Sequence, residues 1–567
     1  MHYRWTVRPA EAEVVERLAR ECDVAPWVAR LLVLRNLGDC DEVRRFLHPS
    51  FEQLHNPMRM AGMAQAVRRI RSSLERGKEI LVYGDYDVDG ITATVLLRRA
   101  LEMLGARVRH HIPHRLEDGY GLKPAVLEQA SADGVDLVVT VDCGIRDAEA
   151  VRRAAELGLD VIVTDHHLPG EDLPPAFVVL NPQLTTSGYP DRHLAGVGVA
   201  FKLAQALFQS AGKDGVVHHF LKMAAIGTIA DMVPLVGENR VIVKLGLEGL
   251  AKPYNLGLQA LLNGSGVGEE VDPTDIGFRI APRINAFTRM GGGQEIVELF
   301  TARDPVVVEA IVVEMDRRNR ERRAEEERIL QEIREREATH PEQFSGAVVV
   351  VAGRGWHRGV LGNVAARLVQ RFHKPALVVS LEGETGQGSA RGVPGLHLLE
   401  ILESASGFFE RFGGHAQAVG CTVKPEWSTL EGIDLIRRRL DEVVRPLAEE
   451  KGLELELALD AQVDVAFWTF DRLADLEQLG PFGVGNPVPV FASLGVEPLG
   501  SPRFINGKHV KWVLPSAGDR IEAIWWGGAE RCHQLATGGA LDLAYTVSRN
   551  RFQGQDSILL TIRDLRS

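Results

Sequence analysis

From residue 78 onward, short apolar runs alternate with amphipathic helical segments, and this alternation restricts the fold more than any other feature of the sequence. The apolar runs are EILVY, ARVRHHIP, DLVVTVD, DVIVTD and FVVLN, and ITATVLLRRALEMLG and RDAEAVRRAAELG are among the intervening segments. Strands that alternate with helices pack as a parallel sheet with helices on both faces. The sequence therefore predicts an α/β domain.

The remaining patterns indicate four further parts. The segment from 305 to 338 has the pattern of one long helix whose charged second half is typical of a solvent-exposed connection between domains. A second α/β pattern follows it, and strand-like runs such as HVKWVL and RIEAIWWG then predict a small antiparallel β-barrel. We predict a helical cap at 1–75, the first α/β domain at 76–304, the connecting helix at 305–338, a second α/β domain at 339–448 and a barrel at 449–567.

Composition limits the partners and the compartment. The formal net charge of -12 excludes a global cationic field, so any site for a polyanion has to be local. The sequence shows no signal-peptide pattern and no run of about 18 apolar residues, which predicts a cytoplasmic protein without a membrane partner. The five cysteines are scattered without a C-x-x-C pair, which argues against a disulfide framework or a zinc knuckle and favours a reducing compartment.

Acidic and imidazole side chains follow three of the predicted strands. Ligands of an open parallel sheet bind beyond the carboxyl ends of its strands, so we expect these side chains to meet in one crevice. Carboxylates at such distances repel each other unless a cation lies between them. Any one of these aspartates could instead be a helix N-cap or turn residue, and the residue type alone does not decide. The residues are Asp85, Asp87, Asp89, Asp142, Asp165, His166 and His167.

Carboxylate oxygens with one or two imidazoles suit a divalent ion such as Mn²⁺, and the lack of nearby cysteines argues against structural zinc. Sets of this kind commonly hold two ions about 3.5–4 Å apart, which activate a water and stabilise the oxygens of an in-line phosphoryl displacement. The residues themselves therefore predict metal-assisted hydrolysis of a phosphoester.

Four segments in this order, VYGDYDVDGITA, VDCGI, TDHH and GTIADMVPL, resemble the four motifs of the DHH phosphoesterase family. GGHAQAVG resembles the companion DHHA1 domain, and the likeness extends from about residue 50 to 567 through IPHRLEDGYGL, APRINAFTRM, GWHRGVLGNVAARL, GSARG and PFGVGNPVPVF. The sequence departs from the family in NAFTRM, where N-A-A-G-R-M is usual, and in Gly392, where serine is frequent.

The resemblance implies roles for particular residues. It makes His167 a catalytic neighbour of the scissile phosphate and Asp142 the bridge between two ions, Mn²⁺ or Mg²⁺. It implies the metal ligands Asp85, Asp87, Asp89, Asp142, His166 and Asp231. It also implies the substrate-binding residues Arg115, Arg283, Ser389, Arg391, Gly413, Gly414 and His415.

Chemistry supports the phosphate-binding part of this set. Guanidinium groups make bidentate bonds to phosphate, and glycine lets the main chain approach an anion. Without the resemblance, Arg115 would more simply form a surface ion pair with Glu117 or Asp118, and the glycine pair would be a turn.

Aromatic and basic residues interleave in the C-terminal part of the chain, which the resemblance makes OB-like. This combination suits a surface that stacks bases while following a nucleic-acid backbone, although burial inside a barrel is the commoner fate of such aromatics. The residues are Trp512, Trp525, Trp526, Tyr545 and Phe552, with Lys508, Lys511, Arg549 and Arg551.

Within the family, the resemblance is strongest to exonucleases that degrade single-stranded DNA from its 5′ end and release mononucleotides during DNA repair and recombination. It suggests a RecQ-type helicase and a single-strand-binding protein as partners. Two alternatives stay open: a DHH phosphodiesterase for short oligonucleotides or cyclic dinucleotides, and a non-catalytic DHH scaffold that binds DNA. The additional C-terminal domain favours a polymer substrate, and the complete Asp and His set argues against a scaffold.

Overall fold

A computed structural model describes residues 3–566, apart from 116, 252, 254, 269, 290–291, 451–455, 517–520, 533–538 and 553–554. The chain forms two compact units. The first comprises residues 5–316 and 458–567, and the second comprises residues 317–457 together with the extreme N-terminus. The five boundaries drawn from the sequence stay predictions.

The first unit contains the parallel sheet. The elements up to the end of this sheet are β1 (Arg4–Val7), α1 (Ala12–Glu21), α2 (Pro26–Val33), α3 (Cys40–Leu47), α4 (Met63–Glu75), β2 (Glu79–Gly84), α5 (Val88–Met103), β3 (Arg107–His111), α6 (Pro124–Ala132), β4 (Leu137–Val141), α7 (Ala148–Glu156), β5 (Asp160–Thr164) and β6 (Val178–Leu180). The strand order is β3-β2-β4-β5-β6, and every neighbouring pair is parallel.

Both faces of this sheet are buried. In β2 the side chains alternate, because successive residues of a strand point to opposite faces. Ile80 and Val82 enter one hydrophobic core, and Leu81 and Tyr83 enter a second core on the other side. This two-sided burial confirms the α/β fold predicted from the alternating pattern.

The order of the strands creates a crevice. The neighbours of β2 are β3 on one side and β4 on the other, so the chain direction across the sheet reverses at β2. In open α/β sheets, ligands bind outside the carboxyl ends of the strands at such a switch point. The residues after β2 and β4 therefore occupy the position where a site is expected.

A helical region follows the sheet. It comprises α8 (Gly196–Ser210), α9 (Leu221–Ala230), α10 (Gly237–Leu250), α11 (Leu256–Gly264), α12 (Pro273–Asp275), α13 (Ala281–Arg289), α14 (Gly293–Thr301) and α15 (Pro305–Thr339). Helix α15 has 35 residues and is the predicted connecting helix. The part of this helix from residue 317 onward belongs to the second unit.

The second unit is built on a five-stranded sheet. Its elements are β7 (Val349–Gly353), α16 (Leu361–Phe372), β8 (Ala376–Glu382), β9 (Thr385–Arg391), α17 (Leu398–Glu403), β10 (Phe409–His415), β11 (Ala418–Val423) and α18 (Leu430–Glu450). The strand order is β10-β11-β9-β8-β7, with β7 and β8 parallel and the other pairs antiparallel.

The C-terminal part returns to the first unit. Its elements are β12 (Glu456–Leu459), β13 (Ala461–Gln462), α19 (Phe470–Gln478), β14 (Phe491–Val496), β15 (Arg503–Ile505), β16 (His509–Leu514), β17 (Ile521–Trp525), α20 (Ala529–Cys532), β18 (Leu541–Phe552) and β19 (Gln555–Arg566). The last seven strands form one sheet in the order β13-β14-β18-β19-β17-β16-β15. Two of its pairs, β13 with β14 and β17 with β19, are parallel, so the sheet is less uniform than the predicted antiparallel barrel.

The N-terminal helices cover this C-terminal sheet. Leu18 and Leu31 of the cap lie in the same hydrophobic core as Trp468, Phe491 and Tyr545. Among the described residues, no helix is long and apolar enough to cross a membrane.

Candidate metal centre

The first acidic group follows β2. Asp85 comes directly after this strand, Asp87 is the N-cap of α5, and Asp89 lies in the first turn of that helix. The Asp87 carboxylate accepts hydrogen bonds from the backbone N–H groups of Asp89 (2.9 Å) and Gly90 (3.1 Å). The N-cap interpretation is therefore correct for Asp87, and capping holds this carboxylate close to those of Asp85 and Asp89.

Asp142 follows β4 in an unusual backbone conformation. Its φ of 62° lies in the left-handed region, which costs a non-glycine residue on the order of 1 kcal/mol. Its backbone N–H donates to the carbonyl of Thr164 at the end of β5 (3.0 Å). This bond between neighbouring strand ends helps to hold the conformation.

His166 lies at the centre of the cluster. Its Nε2 is 3.1 Å from Asp142 Oδ1, 3.5 Å from Asp231 Oδ2 and 3.8 Å from Asp89 Oδ2. Asp231 is the C-cap of α9, so the structure brings a distant helix end to the strand ends. All seven predicted catalytic and metal-binding residues lie in this crevice, in three overlapping groups.

A helix N-terminus supports Asp89. Its carboxylate accepts hydrogen bonds from the backbone N–H groups of Gly196 (2.6 Å) and Val197 (2.8 Å), the first two residues of α8. The unpaired N–H groups and the dipole at a helix N-terminus favour negative charge.

Two glycines let the backbone approach the carboxylates. A Cβ on Gly196 would lie 2.5 Å from Asp142 Oδ1, and a Cβ on Gly227 would lie 2.9 Å from Asp89 Oδ1. Both distances are shorter than a carbon–oxygen contact allows. Glycine is therefore required at these two positions for the cluster to form as it stands.

Burial and mutual repulsion disfavour the charged forms of the carboxylates. Burial, followed by the charges of neighbouring aspartates, holds the pKa values of Asp85 and Asp142 well above the ordinary value. The same causes raise the pKa of Asp89 to about 7 and that of Asp231 to about 9. Burial lowers the pKa of His166 to about 4, so this imidazole is neutral and can act as a ligand.

The donor set fits a divalent cation. Asp85 Oδ1, Asp142 Oδ1 and His166 Nε2 are buried without a hydrogen-bond partner, and such groups are expensive unless something else satisfies them. Within each of the three groups, one ligand atom per residue lies within 4.8 Å of the others. Oxygen and imidazole ligands of this kind suit Mn²⁺ or Mg²⁺.

Two residues that were given no catalytic or metal-binding role contact His167: Asp165, which was expected in the crevice, and Tyr120. The Asp165 carboxylate accepts hydrogen bonds from His167 Nδ1 and from the backbone N–H groups of His166, His167 and Ile145. The Tyr120 hydroxyl lies 3.2 Å from His167 Nδ1 and donates to the carbonyl of Asp142 (3.3 Å). Asp165 lies in the motif TDHH and Tyr120 in the motif IPHRLEDGYGL. Their positions in these motifs are the sequence signal from which their roles could have been predicted.

The two predicted arginines of the first unit have different neighbours, and their role in substrate binding stays a prediction. Arg115 lies over the ring of Tyr86, 4.7 Å from its centroid, and its charge lowers the pKa of the neighbouring Asp85. Burial raises the pKa of Tyr86 to about 12, and the charges of Arg115 and Arg289 oppose this rise. Arg283 instead forms an ion pair with Asp316 of α15, at 2.7 Å. Arg289, the arginine of NAFTRM, was not in the predicted set, although its charge acts on the same tyrosine, Tyr86, as the charge of Arg115.

The second unit holds the other predicted phosphate-binding residues. Ser389 of β9 and Gly413 of β10 both pair with Gly420 of β11, which lies between them. Two residues further along, Arg391 and His415 both pair with Ala418. Because side chains two residues apart in a strand point the same way, Ser389, Arg391, Gly413 and His415 share one face of the sheet. The N-terminus of α16 adjoins this face, because a Cβ on Gly362 would lie 2.6 Å from an Arg391 guanidinium nitrogen.

Gly414 lies between two of these residues. Its φ is 150°, and a Cβ there would lie 2.2 Å from the carbonyl oxygen of Ala418. A side chain at this position would disturb the β10–β11 hairpin.

Most of the described C-terminal aromatics are core residues. Trp512, Trp525 and Tyr545 are buried, whereas Trp526 is 57% exposed. The Trp526 ring lies 4.8 Å from the imidazole of His509. The side chain of Phe552 is outside the described part of the chain.

Three protein-family models match the chain. They are the N-terminal domain of the DHH family at residues 79–228, the DHHA1 domain at 345–445 and the RecJ OB domain at 459–564. The fold and the Asp and His cluster thus define a metal-dependent phosphoesterase of the DHH class.

Comparison with individual proteins narrows this class. The chain is 35% identical to the single-stranded-DNA-specific exonuclease RecJ of Bacillus subtilis over 99% of its own length and 70% of the relative. It is 31% identical to the protein of the same name from Escherichia coli, over 98% of each chain. A crystal structure of RecJ with Mn²⁺ from Thermus thermophilus superposes with a TM-score of 0.83 and 29% identity, covering 100% of this chain and 79% of that one. The chain belongs to the RecJ family.

Proposed function

We propose that this protein is a metal-dependent exonuclease that degrades single-stranded DNA from the 5′ end and releases mononucleotides. The observation that carries the proposal is the buried Asp and His cluster at the switch point of the sheet, in a chain that aligns with RecJ proteins over nearly its whole length. The class of substrate is taken from those relatives, and the reaction type follows from the cluster.

Two groups within the cluster would hold the ions. Asp85, Asp87 and Asp142 form one group, and Asp89, His166 and Asp231 form another. Ions bound there supply Lewis acidity and an activated water for hydrolysis of the phosphodiester. The site shields both groups from bulk solvent, which strengthens each electrostatic interaction inside it.

Residues around the cluster would position the DNA and move protons. His167 carries its proton on Nδ1, because the Asp165 carboxylate can only accept a hydrogen bond. Its Nε2 is then the nitrogen available to exchange a proton with the phosphate or the leaving oxygen. Arg115 and Arg289 provide positive charge that acts on Tyr86, and we propose that this charge neutralises a phosphate of the substrate.

The face formed by Ser389, Arg391, Gly413 and His415 is proposed to bind a phosphate of the DNA. It combines a guanidinium, a hydroxyl, glycine backbone and the N-terminus of the 12-residue helix α16. These are the donors that anion sites use. Recognition of a terminal phosphate by such donors would account for digestion from one end only.

Trp526 is proposed to stack on a base. It is exposed beside His509, and Arg503 and Lys511 are paired across the same two strands, β15 and β16. Aromatic stacking next to cationic side chains is the usual way to bind a single strand without reading its sequence. We therefore expect weak sequence preference.

The test uses one oligonucleotide labelled at its 3′ end, as a single strand and as a duplex, with Mn²⁺, with Mg²⁺ and with chelator. A ladder of shortening products from the single strand alone, abolished by chelator, is expected. Asp142→Ala should abolish it, whereas Asp172→Ala, at an exposed position outside the cluster, should not. Intact DNA under every condition would contradict the proposal and would leave short oligonucleotides as the next substrate.

We further propose a cytoplasmic role in DNA repair and recombination, with a single-strand-binding protein and a RecQ-type helicase as partners. The support is the resemblance to the family, since single strands have to be exposed before they can be degraded. Co-purification of each purified partner with the immobilised full-length chain tests this. Retention by neither partner would remove the proposed interactions without affecting the proposed chemistry.

A further inference from the structure

Two cysteines that are distant in the sequence meet in the N-terminal cap. Cys22 is the C-cap of α1 and Cys40 begins α3, 18 positions later, and the two Sγ atoms lie 2.6 Å apart, which is closer than van der Waals contact. Cys40 Sγ also lies 3.4 Å from the carbonyl of Glu21. The two thiols are therefore direct neighbours, which the scattered positions of the cysteines did not predict.

The pair differs from the other cysteines in its access to reagents. Cys22 and Cys40 are each half-buried, so a small oxidant can reach them. The other three cysteines are buried, and no hydrogen bond joins any of them to a second thiol within the described chain. Reactivity of a thiol depends on such exposure.

The segment between the two cysteines fastens the cap to the C-terminal sheet. It contains α2, where Val28, Leu31 and Leu32 enter the core shared with that sheet. Arg30 donates to the carbonyl of Asp460 (2.8 Å), and Arg35 donates to Asn486 Oδ1 (2.7 Å). A covalent link between Cys22 and Cys40 would close this segment into a loop.

We propose that Cys22 and Cys40 form a reversible disulfide that joins α1 to α3 within the helical cap and closes the loop that carries α2, the helix packed against the C-terminal sheet. This site lies outside the proposed nuclease chemistry and does not depend on it. A disulfide stabilises mainly by restricting the unfolded chain, and a loop of this length gives a substantial effect. Oxidation is therefore expected to strengthen the attachment of the cap.

The oxidant would be a small disulfide such as oxidised glutathione. The Cys40 thiolate attacks one sulfur of that disulfide, forms a mixed disulfide and releases one small thiol. Cys22 then loses its proton, attacks the Cys40 sulfur and releases the second small thiol. Two electrons pass from the protein to the reagent, and the two protein protons end on the two small thiols.

The order of attack follows from the surroundings. Burial, followed by the hydrogen bond to Cys40, raises the pKa of the Cys22 thiol to about 12. Cys22 is therefore harder to deprotonate than an ordinary cysteine, so we assign the first attack to Cys40.

The experiment counts thiols in the full-length chain. The protein is incubated with oxidised glutathione or with dithiothreitol, unfolded in N-ethylmaleimide and weighed by mass spectrometry. The reduced form should carry five labels, one for each cysteine. The oxidised form should carry three, and trypsin should release Glu21–Arg30 linked to Asn36–Arg44.

Variants separate this disulfide from random oxidation. Cys22→Ser and Cys40→Ser should lose the linked peptide, whereas Cys421→Ala should keep it. The oxidised wild type should also melt about 5 °C higher than the reduced form, and Cys40→Ser should show no such shift. Five labels after oxidation, or a mixture of disulfides that includes the buried cysteines, would overturn the proposal.

Discussion

Asp165 Oδ1 lies 2.7 Å from His167 Nδ1, and this contact fixes both the position and the proton of the imidazole. Burial alone would lower the pKa of His167, but the hydrogen bond and the charge of Asp165 raise it. The reciprocal effect lowers the pKa of Asp165, although burial opposes it. Asp165 is thus an ionised carboxylate, and the His167 ring carries a proton on Nδ1 whether the ring is neutral or cationic. Asp165 acts on the reaction through His167.

Replacing Asp165 tests this role as a positioning residue. Asp165→Asn removes the negative charge and places an amide group where Oδ2 now accepts the N–H of Ile145. We expect turnover to fall by about 10- to 100-fold, the usual effect of losing a group that orients a site residue. We also expect the acidic limb of the pH–rate profile to move to lower pH, because His167 loses the charge that raises its pKa. An unchanged profile with lower activity would indicate a merely structural effect.

Gly196 offers a test of the cluster that leaves every ligand in place. In Gly196→Ala the new methyl group would lie 2.5 Å from Asp142 Oδ1, so the carboxylate or the start of α8 has to move. We expect loss of Mn²⁺ binding in calorimetry and loss of hydrolysis.

Gly198→Ala, two residues further along the same helix, is the matched control for this variant. The three atoms nearest to its methyl group would all belong to the side chain of Leu194, the closest at 3.2 Å, and none of the three belongs to a carboxylate. Mn²⁺ binding by Gly196→Ala equal to that of the control would contradict a metal site at Asp142.

The carboxylates predict how stability depends on pH in the absence of metal. Asp89 and Asp231 have folded-state pKa values of about 7 and about 9, above the value of 3.8 for an ordinary aspartate. Between pH 4 and pH 9 these two carboxyls therefore bind more protons in the folded state than in the unfolded state, so their contribution makes the free energy of unfolding fall as pH rises.

This dependence should appear in thermal melts with chelator, where the melting temperature falls from pH 5 to pH 9. Added Mn²⁺ should raise the melting temperature most at high pH, because the ion stabilises the ionised carboxylates. Asp231→Asn should flatten the slope in chelator. A melting temperature that rises with pH in chelator would contradict the assigned shifts.

Two arginines of one helix, Arg283 and Arg289, are expected to behave differently. Arg283→Ala removes the ion pair with Asp316, which should cost less than about 1 kcal/mol of stability and leave the choice of DNA end unchanged. Arg289→Ala removes a positive charge that acts on Tyr86, as the charge of Arg115 does, so the Michaelis constant for DNA should rise by about tenfold or more. Equal effects of the two variants on that constant would restore Arg283 as a substrate-binding residue.

The sequence predicted most of the sheet and part of the site, for physical reasons. The alternation of strands and helices defined the sheet, and its parallel order placed Asp85, Asp142 and His166 at one edge. Asp231 has no local pattern that connects it to them, because it ends a helix that folds back from far along the chain, and only the resemblance to the family identified it.

The faces of helices were the least predictable feature. Arg283 and Arg289 both lie on α13, and the ion pair of Arg283 with Asp316 of α15 is a tertiary contact that the sequence pattern of the helix does not reveal. The glycines beside the carboxylates were missed for the same reason, since their contacts come from α8 and α9 packing on the sheet.

Trp526 and Phe504 allow a matched test of DNA binding by the C-terminal sheet. Both aromatics are exposed, but they lie on opposite faces of the sheet. Phe504 pairs with Val510 of β16, whereas the Trp526 ring contacts His509, the residue before Val510. Consecutive residues of a strand point to opposite faces. Trp526→Ala should weaken binding of a single strand by about 5- to 100-fold, the range that one stacked base contributes. Fluorescence anisotropy with a labelled oligonucleotide, in chelator to prevent digestion, measures this. Phe504→Ala should bind the single strand as the wild type does. Weaker binding by Phe504→Ala, alone or together with Trp526→Ala, would contradict the assignment of base stacking to the face that carries Trp526.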